Sequence, residues 1–269
     1  MKISASTYRC ESMCRMSSGL KSSQQEGNSM IAYQSTLLGR TEVAEDTMSF
    51  RFEKPRSFLF KAGQYIDLTL LGSEPGGSNG LTHTFSIASS PWSEELVVTT
   101  RMRDTVFKRA LSVLPIGAEV RVEGPMGSFT LHNNTARPAV LLAGGIGIAP
   151  FLSILSHTAA ERLRHPIFLF YANRYLEDAP FMDALWELER ANPRLRFIPT
   201  FTRITKNYRG WKGETGHISP EMLSTHISNL HGAIYYIAGP PMMVEAARQT
   251  LNEVGVDEDD IRTEEFAGY

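Results

Sequence analysis

The sequence predicts two domains, an antiparallel β-barrel of Greek-key type followed by an α/β doubly wound parallel sheet. From Met30 to about Thr135 the chain is a succession of short runs, rich in β-branched and aromatic residues and broken by Gly, Pro or Asn. From Pro138 onward, apolar runs alternate with amphipathic helical segments, the pattern of a parallel sheet covered on both faces. The length of 269 residues is enough for two cores of ordinary size.

In the first half the strand candidates are Ile31–Leu38, Thr47–Phe52, Tyr65–Leu70, Thr82–Ala88, Leu96–Met102, Glu119–Val122 and Ser128–Leu131. Short strands at this close spacing close most readily into a small barrel. One helix interrupts them. It starts near Asp104-Thr105, a good N-cap pair, and places Phe107 and Leu111 on one face at i, i+4.

In the second half the buried-strand candidates are Ala139–Leu142, Ile167–Tyr171, Leu195–Phe201 and Ala233–Ile237. Asp178 followed by Pro180 reads as an N-cap and first turn, with Phe181, Leu185 and Leu188 forming the apolar stripe behind it. Ser219-Pro220 opens a further helix. Val244, Ala247, Leu251 and Val254 line the last one, which Gly255 ends.

Composition excludes several classes. Apolar content of 42% with 21% charged residues is that of a soluble globular protein. A net charge of −2 argues against a nucleic-acid partner, whose binding rests on many Lys and Arg contacts to phosphate. No apolar run approaches the length of a membrane span. Residues 1–29 are Ser-rich, lack apolar periodicity and lack a secretory apolar stretch, so a disordered extension and a cytoplasmic location are expected. The two cysteines, Cys10 and Cys14, both fall in this tail. They cannot complete a metal site or the four ligands of a [2Fe–2S] cluster, so no metal site is expected and any iron–sulfur partner should be a separate protein.

The run Ala143-Gly144-Gly145-Ile146-Gly147-Ile148-Ala149-Pro150 carries the most chemistry. It joins a wholly apolar strand to an apolar helix containing Phe151, Ile154 and Leu155. Glycines there let backbone approach a nucleotide phosphate, and the helix N-terminus offers N–H donors and partial positive charge. Ligands of parallel sheets sit at the C-terminal ends of the strands, where Gly144 and Gly239 both fall.

With four other motifs in order, this run resembles the ferredoxin–NADP reductase superfamily over nearly everything from Met30 to Tyr269. The others are Phe60-Lys61-Ala62-Gly63-Gln64-Tyr65, His83-Thr84-Phe85-Ser86, Gly124-Pro125-Met126-Gly127-Ser128-Phe129 and Gly239-Pro240-Pro241-Met242. The resemblance implies a flavin-binding barrel over residues 30–135 and an NAD(P)-binding domain over 136–269, with FAD rather than FMN in the barrel. It assigns His83, Thr84, Phe85, Ser86, Gly127 and Ser128 to the flavin. Gly144, Gly145, Gly147, Pro150, Gly239 and Pro240 are assigned to the nucleotide loops.

Two departures stand out in the barrel. The family's motif is Arg-x-(Tyr or Phe)-(Ser or Thr), with Arg on the flavin phosphate; here Phe85 and Ser86 are kept and His83 replaces Arg. Histidine is shorter and near-neutral at pH 7, so phosphate affinity is expected to fall or to be met elsewhere. At the next helix the family often has Gly-x-x-Ser, where this chain has Thr105-Val106-Phe107-Lys108. The N–H groups of Val106, Phe107 and Lys108, with the Thr105 hydroxyl or the Lys108 ammonium, form a compensating anion site in this reading. Arg101, Arg103 and Arg109 make this the most basic stretch of the barrel; the plain reading is a solvated face, which for Arg101 and Arg109 weighs equally with a ligand role.

In the second domain, Tyr171-Ala172-Asn173-Arg174 resembles the loop near the nicotinamide nucleotide, and Thr202-Arg203 falls where the family reads the adenosine ribose. An arginine there suits a 2′-phosphate, whereas Gly213-Glu214-Thr215-Gly216 is nearer the NADH-type pattern, so coenzyme preference stays open. Ala238 replaces the family's usual Cys. At the C-terminus Phe266 matches the family's Glu-x-Phe ending and Tyr269 has the freedom to cover the flavin. Glu264 or Glu265 matches the acidic residue beside it, and Glu265 is assigned together with Ser86 and Tyr269 to the reacting centre.

The function implied is an NAD(P)H-dependent flavoprotein oxidoreductase. It moves a hydride from NAD(P)H to FAD and then electrons to a separate carrier such as a ferredoxin, flavodoxin or oxygenase component. Alternatives are reduction of a small diffusible acceptor, such as free flavin, a quinone or ferric iron, or a nucleotide-binding regulatory subunit without activity. A monomer is expected.

Overall fold

Alternating buried and exposed residues make up the first half of the chain, and they fold as one curled antiparallel sheet. The computed structural model describes residues 31–72, 81–204 and 210–266; the tail with Cys10 and Cys14, and the terminal Tyr269, lie outside them. The strands are β1 (Ala32–Ala44), β2 (Thr47–Glu53), β3 (Tyr65–Leu70), β4 (Leu81–Ser86), β5 (Glu95–Arg101) and β6 (Glu119–Met126), in the order β4-β3-β6-β1-β2-β5. All neighbours are antiparallel. Their inward residues, among them Phe50, Phe52, Ile66, Leu68, Phe85, Val98 and Val122, form one core. Each such fully buried apolar side chain contributes about 1.5–3 kcal/mol.

Helix α1 (Val106–Val113) follows β5. Its N-cap is Thr105, whose hydroxyl accepts the Lys108 N–H, and Phe107 and Leu111 are buried beneath it. The edge strands β4 and β5 are bridged by Ala88 N–H donating to the Val97 carbonyl. Beyond that bridge the two edges face each other across a groove.

The second half is a parallel sheet of β7 (Ala139–Gly144), β8 (Ile167–Asn173), β9 (Leu195–Phe201), β10 (Glu214–Thr215), β11 (Ile234–Gly239) and β12 (Ile261–Glu265). The order β10-β9-β8-β7-β11-β12 reverses between β8 and β11, so β7 sits at the switch point. Helices α2 (Ile148–Ala160), α3 (Met182–Ala191), α4 (Pro220–His226) and α5 (Pro241–Glu253) cover the faces and divide the core into two apolar clusters. Strand β10 pairs only with Thr200 and Phe201. The remaining edge of β9 is blunted: Pro199 has no N–H, and the Phe197 N–H donates to the Glu189 carboxylate at 2.8 Å.

Two expectations fail here. Ser128–Leu131 is not a strand. Gly127 turns at φ +92, and the chain becomes a strap whose Phe129 is buried in the core of the parallel sheet, against Phe151 and Tyr236. Asp178 does not cap α3. That helix starts at Met182, after Phe181 in a left-handed conformation, because the Asp178 carboxylate is drawn instead to the Arg101 guanidinium at 3.4 Å. The other expected elements form near their predicted positions, although β1 runs on from Leu38 to Ala44 and β6 from Val122 to Met126.

The strap carries a polar network between the sheets. The hydroxyl of Tyr236, on β11, accepts from the His132 N–H at 2.8 Å and from Arg262 at 3.1 Å. Its own proton therefore goes to His132 Nδ1 at 3.0 Å, and His132 Nε2–H donates to the Arg137 carbonyl. His165 donates to the His132 carbonyl at 2.8 Å. Burial pushes both imidazoles below their ordinary range.

Candidate functional site

The C-terminal ends of β7, β8 and β11 open into a cleft of about 390 Å³. Gly144, Gly145, Asn173, Arg174, Thr202 and Pro240 line it, with Arg101 and Arg103 from the barrel side. Three arginines against the single carboxylate of Asp178 leave the mouth with a net positive field suited to a phosphate-bearing ligand. Gly145 turns at φ +54 with open space where a side chain would stand. At Gly147 the need is different: a Cβ would overlap the Ala238 carbonyl oxygen, so this glycine lets α2 pack against β11. Pro150 is buried in the first turn of α2 and does not line the cleft. Asn173 is 6% exposed, and its Nδ2 has no hydrogen-bond partner among the described residues. A buried, orphaned amide facing a glycine-lined cleft fits the nicotinamide coenzyme.

The groove between β4 and β5 is narrower, about 50 Å³. His83, Thr84, Phe85 and Ser86 line one side, Thr99, Thr100 and Arg101 the other, with Lys108, Ile146, Ala149 and Phe266 completing it. The His83 ring lies on Phe85, centroids 4.7 Å apart and 19° from parallel, and both contact Phe107. Ligand pockets commonly run to about 300–1,000 Å³, so a three-ring flavin enters only as side chains at this groove, Phe266 among them, move aside.

At the junction of groove and sheet, the Ser86 hydroxyl donates to Glu264 Oε1 at 2.7 Å. Burial pushes the Glu264 carboxyl up to about 7, although the Ser86 hydrogen bond pulls the other way. Its Oε2 is buried without a partner among the described residues. The donor set fits a flavin: an aromatic floor, a hydroxyl joined to an acid, and a buried ammonium at Lys108.

Of the two acids, Glu264 and not Glu265 lies beside Ser86. On β12, Arg262, Glu264 and Phe266 share the inward face by strand alternation, and Glu265 points to solvent. Choosing Phe266 for the groove required Glu264 beside it. Thr105 spends its hydroxyl on capping α1, and Val106 is 60% exposed. Gly127 and Ser128 line, with Tyr65 and Glu264, a separate hollow of about 630 Å³. Arg203 is exposed and absent from the cleft lining, where Arg174 and His217 stand with Thr202. His217, Met243 and the Thr99–Thr100 edge had no motif to mark them.

A hollow of about 740 Å³ lies elsewhere, between Trp186, Phe197, Trp211 and the His226–Glu214 pair. Gly213 and Glu214 line it, whereas the glycines at the ends of β7 and β11 do not. Among the described residues no cluster of three metal-ligating side chains occurs, and no helix is long and apolar enough to cross a membrane.

A cationic cleft at a sheet switch point, facing an aromatic groove in a Greek-key sheet, defines a two-domain nucleotide-dependent oxidoreductase. Residues 141–249 match the model of the oxidoreductase NAD-binding domain. The chain is 30% identical over 240 residues to the reductase component of propane 2-monooxygenase from Mycolicibacterium goodii, covering 84% of this chain and 67% of that protein. It belongs to the ferredoxin–NADP reductase-like family of NAD(P)H-dependent flavoprotein oxidoreductases.

Ferredoxin–NADP reductase B of Sorangium cellulosum is 28% identical over 228 residues, covering 81% of this chain and 90% of its own length. The chain spans 64% of the propane 2-monooxygenase reductase component of Gordonia sp., to which it is 29% identical over 229 residues, 83% of this chain. The fold is that of the ferredoxin NADP⁺ reductase from Neisseria gonorrhoeae, solved with bound FAD and NADP, at a TM-score of 0.72 and 23% identity over 87% of this chain and 98% of the other.

Proposed function

We propose that this chain takes a hydride from NAD(P)H and passes the electrons, through FAD, to a separate carrier protein, with an oxygenase component as the first candidate. The hydrogen bond between Ser86 and Glu264 carries this reading, because it joins the groove in the barrel to the last strand of the nucleotide sheet. Bound FAD supplies a hydride acceptor at N5 and an outlet for single electrons. Ser86 and Glu264 hold a proton at the groove mouth near neutral pH, on the carboxyl oxygen that has no other partner. Gly144 and Gly145 let the coenzyme backbone approach, and alignment at near contact is the protein's main task in a direct hydride transfer.

Residues 30–135 are the FAD-binding part and 136–269 the NAD(P)-binding part of this proposal, and the protein acts as a cytoplasmic monomer. Relatives named as reductase or electron transfer components of propane 2-monooxygenase and toluate 1,2-dioxygenase support the choice of carrier. The test is spectroscopic. Purified protein loaded with FAD should bleach anaerobically with NADH or NADPH, and recolour on adding an oxygenase component or ferredoxin. Failure to bleach with either coenzyme overturns the hydride step. Recolouring by free flavin, quinone or ferric iron alone replaces the carrier with a diffusible acceptor.

A further inference from the structure

Two departures from the family pattern, His83 and Lys108, meet in one groove. His83 does not present a phosphate clamp there. Its ring is stacked on Phe85, and its Nδ1 lies 2.9 Å from the Thr84 carbonyl, an acceptor, so Nδ1 carries the proton in the neutral ring. That tautomer leaves Nε2 as a lone pair, which repels phosphate oxygen.

Lys108 is the opposite case. It is the third residue of α1, in the first turn, is 7% exposed and lines the groove. Its ammonium has three donors, and Nζ gives one of them to the Arg101 carbonyl at 2.8 Å. Among the described residues no carboxylate is paired with it. The neighbouring cations are otherwise engaged: Arg101 is ion-paired with Asp178, and Arg109 with Asp104. Arg103 lines the coenzyme cleft instead. Burying an ammonium without a counter-ion is costly, and here Arg103 adds repulsion to desolvation, which lowers its pKa. A chain that retains such a group in a ligand groove has an anion to set against it.

We propose that Lys108 is the cation that binds the FAD diphosphate, replacing in charge what His83 lacks and moving the anion clamp from strand β4 to helix α1. This rests on the flavin reading above. It separates the ring-binding and phosphate-binding tasks: Phe85 and His83 face the aromatic part of the ligand, and Lys108 the charged part.

The experiment is a titration with FAD and with riboflavin, which has the ring and no phosphate, followed by quenching of flavin fluorescence. Lys108→Met should raise the Kd for FAD roughly tenfold or more, as expected for loss of a charge-assisted contact, and leave that for riboflavin within about twofold. Lys108→Arg should keep most of the FAD affinity, and His83→Arg in the Lys108→Met background should restore it. If Lys108→Met unfolds, Lys108→Gln takes its place in the titration. For the charge-removing variant, weakened FAD binding with riboflavin affinity within about twofold supports the clamp, and equal shifts for both ligands overturn it. Wild-type protein that binds FAD no better than riboflavin overturns the diphosphate contact while leaving the flavin reading in place. Wild-type protein that binds neither overturns both.

Discussion

At the ends of β7 and β11 the coenzyme cleft is bordered by backbone at Gly144 and Gly145, with Gly147 packing α2 behind it, whereas the flavin groove between β4 and β5 is shaped by side chains. The cleft stands open at about 390 Å³, and the groove is nearly shut at about 50 Å³. Backbone made of glycine cannot fill the space it borders, so such a site is preformed. Side chains such as His83, Phe85 and Phe107 pack onto one another, so their site opens by rotamer change. Substitution follows the same division. The glycine cleft keeps the family's motif, while in the groove Arg has become His and Ser has become Lys, since a side-chain site can be rebuilt from another strand or helix.

The sharpest break of this contrast is Gly147→Ala. Its methyl would collide with the Ala238 carbonyl, where neither backbone can yield. A destabilisation of about 2–3 kcal/mol is expected, read as a fall in Tm of roughly 5–10 °C. Gly145→Ala, with open space but φ +54, should cost only about 1–2 kcal/mol. Equal losses for the two would show that close packing does not distinguish them.

Glu264→Gln acts on the groove alone. General acid–base groups contribute about 10²–10⁴-fold, and a carboxyl held near pH 7 should make reduction slow as pH rises through that value. Stopped-flow reduction should therefore fall by about tenfold or more in the variant and lose this alkaline limb. A variant with an unchanged pH profile would leave Glu264 a structural partner of Ser86.

The strap predicts a smaller effect. His132 and His165 titrate below the ordinary imidazole range near 6.5 in the folded chain, so the unfolded chain binds more protons as pH falls. Stability is then lost below about pH 6.5. Glu264 has the opposite sign: its folded pKa of about 7 is raised, so its contribution is present at low pH and lost as pH rises through 7. The two slopes partly cancel. Thermal melts of Glu264→Gln should show a steeper acid loss than wild type, and an identical dependence would remove Glu264 from the balance.

The smallest effect is expected from Asp178→Asn. Its ion pair with Arg101 is partly exposed and long at 3.4 Å, so stability should change by under about 1 kcal/mol. The cleft meanwhile gains positive charge, and the KM for NADPH should fall more than that for NADH. Equal changes would mean that the field at the arginines does not reach a 2′-phosphate.

Most of the frame was legible because period and punctuation are local. Apolar runs such as Ala139–Leu142 and caps such as Thr105 and Ser219 announce themselves within a few residues. What escaped was tertiary. Asp178 looks like a helix cap until Arg101, far away in sequence, competes for it. Phe129 reads as strand until it is seen to leave the barrel for the core beneath β7. Glu264 was within reach, since Phe266 and Glu264 must share a face at period two, whereas His217 and Met243 reach the cleft only through the fold.

The Ser86–Glu264 bond spans 178 residues of sequence. During synthesis the chain emerges N-terminus first, so the barrel, groove included, is available long before β12. The residues that line the groove in the barrel are therefore translated first, and the acid that faces Ser86 is added only with the last strand of the sheet.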